Sequence, residues 1–276
     1  MNWCLQATES PRRTPRPGAL FLAALMLIAA PLAARAGVET ATPAGTGPEA
    51  MPAAPARSGA MPLTAYQAQY EVLRNDRPVG SSDIRLQPEG TAWQFSSDTR
   101  GERGMASLVG FQARQQLRFD WHQGAIRPLH SVYDQKASLS SRRIEVHYDW
   151  AQGRYRLSDR RGEHSHALPA GTGDRHGSAV TIAAHLAAGE RDFVFSVPYP
   201  DGLRQWRFKV TGEETVTVPA GSFQTLRVER IRQDSDRQTT SWHAPELDYL
   251  AVRTLQDEDG KRTESRLRSL DPPDPR

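Results

Sequence analysis

The densest group of chemistry-bearing side chains in this 276-residue sequence is His164-Ser165-His166, with His176 and His185 further along. Two imidazoles at i and i+2 would share a metal if a carboxylate such as Glu163 or Asp174 joined them, since zinc takes nitrogen and oxygen ligands tetrahedrally. A metal-dependent enzyme would then rest on His164, His166 and His176. The flanking Gly, Ala and Pro give such a set no rigid support, so a solvated loop is expected there, with no metal and no other cofactor. Asp257, Asp259 and Gly260 begin like a calcium loop, but the twelfth position is Arg268, where a bidentate Glu is needed. No G-x-S-x-G, H-E-x-x-H, G-x-x-x-x-G-K or G-x-G-x-x-G occurs. A Ser-His-Asp triad drawn from distant positions stays open, because triads are set by geometry and not by order in the chain.

The remaining chemistry is apolar. Tyr66, Tyr70, Trp93, Phe95, Tyr148, Trp150, Trp206 and Phe208 all fall on the apolar side of alternating runs. A curved sheet needs apolar material against its concave side. Either a helix fills that side completely or a pocket for an acyl chain remains, and a single short helix is expected to leave part of it uncovered. Met105 and Phe111 extend this candidate set. They lie in and just after Arg100 to Gly110, a stretch with three glycines read as a loop that flaps over the cavity mouth.

The elements that must position these residues are strands. In 205–210, Trp206, Phe208 and Val210 share one face while Arg207 and Lys209 share the other, the period-two signature of a half-buried strand. Val218-Pro219-Ala220-Gly221 supplies hairpin-turn chemistry, and Leu226 and Val228 resume the alternation. The same pattern runs through Tyr66 to Val72, Ile84 to Leu86, Trp93 to Phe95, Gln112 to Trp121, Ile126 to Tyr133 and Ile144 to Trp150, where Gln152-Gly153 turns the chain into Tyr155 and Leu157. Val180, Ile182, Ala183, Leu186 and Ala187 form a face at helical spacing between Gly177 and the stop at Gly189. The expected fold is mainly β: a single domain in which a strongly curved antiparallel sheet, or incomplete barrel, wraps around one α-helix.

Flanking segments set the compartment. Arg12, Arg13 and Arg16 precede the apolar run 19–30 and the small-residue triplet Ala34-Arg35-Ala36, which reads as a secretory signal peptide over 1–36. The run is too short to span a bilayer, and no transmembrane segment is expected after cleavage. Residues 37–62, rich in Ala, Pro, Gly and Thr, are expected to be a disordered linker, 63–270 the antiparallel β domain, and 271–276 a disordered tail. Segment 1–36 carries four of the 35 basic and one of the 32 acidic residues, which leaves 31 of each and no net charge. Nucleic-acid binding thereby loses its electrostatic footprint. The single cysteine, Cys4, leaves with the leader, so an exported protein without disulfides or thiol chemistry is expected, located in the periplasm.

GEETVTVPAGSFQTLRVER, then TTSWHAPELDYLAVRT and a last strand after EDG, resembles the family called domain of unknown function 3108, over roughly Tyr66 to Leu270. The resemblance implies an exported envelope protein of Gram-negative bacteria with no established activity, so it transfers no catalytic residue. Pro219, Gly221, Trp242, Pro245 and Tyr249 match its pattern and read physically as scaffold, with Trp242 a buried anchor. A curved antiparallel sheet against a helix is also similar, at the level of fold, to periplasmic lipoprotein carriers. The leading functional expectation is a non-catalytic periplasmic protein binding a lipid-like or apolar ligand through Tyr70, Trp93, Phe95, Met105, Phe111, Tyr148, Trp150, Trp206 and Phe208. The alternatives are an adaptor docking another envelope protein on a free sheet edge and the metal-dependent enzyme above.

Overall fold

The computed structural model describes residues 61–138, 140–232 and 235–271. The expected signal peptide, all of the linker but Met61 and Pro62, and the tail beyond Asp271 lie outside the described residues. Alternation carries the chain up and down through β1 (Tyr66–Arg74), β2 (Arg77–Glu89), β3 (Ala92–Gly101), β4 (Gln112–His122), β5 (Ala125–Ala137), β6 (Ser140–Asp149), β7 (Arg154–Asp159) and β8 (Gly162–Ala167). A short helix, α1 (Gly104–Leu108), interrupts it after β3, and the main helix, α2 (Ser178–Ala187), follows β8. The second meander is β9 (Asp192–Tyr199), β10 (Gly202–Val218), β11 (Gly221–Ile231), β12 (Gln238–Ala244), β13 (Leu250–Glu258) and β14 (Lys261–Asp271).

All fourteen strands belong to one antiparallel sheet in the order β8-β7-β6-β5-β4-β3-β2-β1-β14-β13-β12-β11-β10-β9. Because β14 returns to pair with β1, the two meanders join at mid-sheet and β8 and β9 become the edges. The sheet does not close into a barrel. The two ends of the sheet nevertheless approach: Tyr155 Oη on β7 donates to the Tyr199 carbonyl of β9 at 3.0 Å, and the segment before α2 lies against β9, with Gly173 N donating to Ser196 O at 2.8 Å. Register shifts at Gln69/Tyr70, Val72/Leu73, Arg118/Phe119, Val210/Gly212 and Trp242/His243 bend the strands, as bulges do.

Burial follows the alternation. In β4, Ala113, Gln115, Leu117 and Phe119 face inward while Gln112, Arg114, Gln116 and Arg118 face water. The helix α2 lies within the curve. Val180, Ala183 and Ala184 join a cluster with Leu86, Phe95, Leu117 and Leu250, while Ile182 and Leu186 join another with Phe193, Phe195, Trp206 and Phe208. A third cluster, Phe111, Tyr133, Ile144, Tyr148 and Tyr155 among its members, fills the β4–β7 side. Gly177 permits the docking of α2, since a β-carbon there would stand 2.1 Å from Leu117 Cδ2. None of the helices described is long and apolar enough to cross a membrane.

Two local expectations are corrected. The stretch 100–110 is not a loop throughout: β3 continues to Gly101, and α1 packs Ala106 so tightly there that a β-carbon on Gly101 would lie 2.7 Å from it. His164 and His166 sit on the edge strand β8 rather than in a loop, because β7 supplies a ladder partner for each.

Candidate functional site

Between α2 and the inner faces of β1 to β4 and β12 to β14 the packing leaves a cavity of about 120 Å³. Its wall has two tiers, and strand register builds both. Tyr66, Tyr70, Ile84, Phe95 and Leu250 form the apolar tier, faced from the helix by the small side chains of Ser178, Ala179 and Ala183 together with Val180. In the polar tier Ser97 lies opposite Gln115 across β3 and β4, and Thr239, Gln256 and Thr263 line up across β12, β13 and β14. These five are polar residues at buried, inward positions of the strands. That mismatch was the signal available in the sequence, and sequence reasoning passed over it.

The polar tier ends at Arg175 and His176, which also line the cavity. Asp174 positions them. Its carboxylate is fully buried and accepts four hydrogen bonds: from Ser131 Oγ (2.6 Å), Tyr148 Oη (2.7 Å), His176 N (2.7 Å) and Gly177 N (2.8 Å). It thereby fixes the turn that leads into α2 and, with it, the two residues that follow Asp174. The His176 ring stacks on Tyr133 at 4.5 Å. Burial first, and then the neighbouring Arg175 charge, holds the His176 pKa well below its ordinary value, so the ring is neutral. Burial likewise lowers the Arg175 pKa.

The mouth is framed by Leu63, Thr64 and the turn at Asp248-Tyr249. Thr64 N donates to Asp248 Oδ2 at 3.1 Å, and Asp248 and Tyr249 both take left-handed backbone, φ 50° and 61°. His243 braces this turn from behind, its Nδ1 2.8 Å from the Tyr249 carbonyl and its Nε2 2.8 Å from Ser241 Oγ. Tyr70 Oη donates to the Ala251 carbonyl at 2.8 Å, and burial raises its pKa, so it stays a neutral wall residue.

The expected ligand-binding residues divide among three places. Tyr70 and Phe95 line the cavity, and Trp93 packs half-buried against the same core. Phe111, Tyr148 and Trp150 belong to the β4–β7 cluster, where Trp150 Nε1 donates to the Pro128 carbonyl at 2.6 Å. Trp206 and Phe208 are packed into the β9–β11 cluster, and Met105 on α1 is 47% exposed, away from the cavity. Of the scaffold set, Pro219 and Gly221 (φ 141°) form the β10–β11 turn, and Pro245 opens a short 3-10 turn, Pro245–Leu247. Trp242 is buried with Nε1 donating to Glu214 Oε1 at 2.8 Å, and Tyr249 sits at the cavity wall.

The three candidate metal-binding histidines do not converge. His164 is 3.6 Å from Asp159, His166 lies 2.9 Å from the Pro200 carbonyl, and His176 is buried at the cavity. Cross-strand pairing of β5 with β6 instead brings together His130, Glu145 and His147 on the outer face. Both Nε2 atoms approach Glu145 Oε1, at 2.9 and 3.2 Å, and the hydrogen bond from His130 is the main cause holding that carboxyl below its usual range. Such a set can accept a zinc-like ion, but it opens on no cavity. His147 and Glu145 were legible as an i, i+2 pair, and their partner His130, seventeen residues before His147, was placed only by register.

A family described as Protein of unknown function (DUF3108) matches residues 65–263. No curated protein matches the chain. Among solved structures, a β-barrel-like protein of the domain of unknown function DUF1849 from Brucella abortus superposes with a TM-score of 0.51 at 12% identity, covering 78% of this chain and 100% of its own. A protein from Bacteroides fragilis, described as exported and as having a YmcC-like fold, gives 0.31 at 10% identity over 75% of this chain and 96% of its own. At these identities the likeness is one of fold, carried by the first structure alone.

Proposed function

We propose, from the premise that this chain belongs to the DUF3108 family of proteins of unknown function, that it is an exported, non-catalytic envelope protein of the periplasm whose inner cavity holds a lipid-like ligand. The observation that carries this reading is the cavity itself: α2 enters the curved sheet and leaves about 120 Å³ beside Tyr70, Phe95 and Leu250. A cavity of roughly 150 Å³ holds a benzene-sized guest, so the enclosed part of the ligand is small, a ring or one end of a short-chain molecule. Export is supported by the basic, apolar and small-residue order of 1–36. An edge-docking adaptor has less support, since the edge strand β9 is partly covered by the segment before α2, with Gly173 N donating to Ser196 O, and by Tyr155 of β7, which donates to the Tyr199 carbonyl. A metal-dependent enzyme on His164, His166 and His176 has none, because those residues are dispersed.

The test is native mass spectrometry and organic extraction of the protein taken from its own periplasm. A bound apolar molecule, and a melting temperature raised by a hexyl-to-decyl series of alcohols, are expected. No extracted molecule and no thermal shift across the series would overturn the reading.

A further inference from the structure

Burying a guanidinium is costly unless its donors are met, yet Arg175 is 4% exposed and its Nε and Nη2 have no hydrogen-bond partner among the described residues. These two nitrogens form one edge of the planar group, the edge that grips both oxygens of a carboxylate through parallel N–H···O bonds. The neighbouring Asp174 does not serve, since its oxygens are taken by Ser131, Tyr148 and the backbone of His176 and Gly177. The Tyr199 ring, 4.7 Å from the guanidinium carbon, fixes the plane of the group and uses none of its in-plane donors. His176 Nε2 is buried and unpartnered in the same way, and both residues line the cavity. Asp248 is the acidic residue among the lining side chains, and it sits at the mouth, bonded to Thr64.

Resting on the reading of the cavity as a ligand chamber, we infer that its occupant is a monocarboxylate with a short apolar tail. The carboxylate sits side-on against Nε and Nη2 of Arg175, with His176 Nε2 beside it, and the tail runs along Tyr70, Phe95 and Leu250. This arrangement accounts for both tiers of the wall. The aliphatic and aromatic side chains take the tail, and the neutral Ser97, Gln115 and Thr239 surround the head without competing for the guanidinium by charge.

Titration calorimetry on the purified protein with octanoate, octanol and octyl phosphate separates this inference from the reading beneath it. Octanoate is expected to bind at least about tenfold more tightly than octanol, the effect of a charge-assisted bidentate pair. Arg175→Gln should erase that difference while octanol binding persists, and Arg175→Lys, which keeps the charge but loses the fork, should restore only part of it. Equal affinity for octanoate and octanol in the unaltered protein would overturn the carboxylate while leaving the chamber standing. Tighter binding of octyl phosphate would replace the carboxylate by a phosphate head. Binding of none of the three would overturn both. If the Arg175 variants do not fold, the comparison of ligands in the unaltered protein still decides.

Discussion

On one side of α2, Ile182 and Leu186 press into Phe193, Phe195, Trp206 and Phe208; on the other, Ala179, Val180 and Ala183 face Tyr70, Phe95 and Leu250 across open space. Both walls are aromatic strands of the same sheet. In the first the rings stack on one another, Phe195 on Phe208 at 5.4 Å and Phe193 on Phe208 at 5.8 Å, and large aliphatic side chains from the helix complete the packing. The second meets small helical side chains and a row of inward polar groups. A surplus of aromatic residues therefore does not make a chamber. The size of what faces them decides, because interiors pack to near-crystalline density unless the matching side chain is missing.

The comparison breaks first at Trp206, 1% exposed in the packed wall. Trp206→Ala is expected to cost about 3–5 kcal/mol, as a large truncation with little room to collapse. Urea unfolding measures it, and a loss below about 1 kcal/mol would mean that this wall is as loose as the other. Trp242→Ala, buried on β12, should fall in the same range of about 3–5 kcal/mol.

Acid should sharpen the contrast next. Two buried histidines report on it, His176 at the cavity and His243 between the two walls, opposite Leu226 on one side and behind the Tyr249 turn of the cavity mouth on the other. Burial lowers the His243 pKa from 6.5 to about 4, against a smaller opposing effect of the Tyr249 carbonyl. Between those values the unfolded chain binds a proton that the folded one refuses, so stability rises with pH there. It is complete above about 6.5 and is lost as pH falls toward 4, by about 3 kcal/mol in all. His176, lowered in the same direction, adds to the loss. Unfolding measured at pH 7 and pH 4 should show this, and His243→Gln should flatten the slope. An unchanged slope would mean that another group carries the acid response.

Filling the open side should change binding more than stability. Ala183→Leu directs three extra carbons toward the cavity, so stability should move by no more than about 1 kcal/mol while octanol affinity falls at least tenfold. A clear destabilisation without loss of binding would place the empty volume elsewhere. The smallest effect belongs outside both walls: Arg127→Ala breaks the pair with Asp120 (Nε to Oδ1, 2.8 Å) on the outer face and should cost under about 1 kcal/mol, read from the same unfolding curves.

The fold was largely legible in the sequence because its evidence is local. Period-two alternation at Trp206-Phe208-Val210 or Ile144-Val146-Tyr148 decides which side of a strand is buried without reference to any partner. Val180-Ile182-Ala183-Leu186 marks a helix just as directly. The short helix α1 escaped because five residues carry too little period, and its cause is contact between Ala106 and Gly101 rather than propensity.

The site was decided by distance in space. The Asp259-Gly260 turn sets Thr263 opposite Gln256, but nothing near Gln256 in the chain places Thr239 on its other side, and the pairing of β1 with β14 joins residues nearly two hundred positions apart. The sequence by itself determined an antiparallel sheet with one wet face, a helix to fill it, and aromatic residues on the inner side. Which aromatics meet Ile182 and which meet Ala183, and that Arg175 ends beside them with Nε and Nη2 unmet, came only with tertiary structure. The physical reason is that hydrophobic periodicity reports a side chain's direction, whereas a cavity depends on the register and volume of whatever stands opposite.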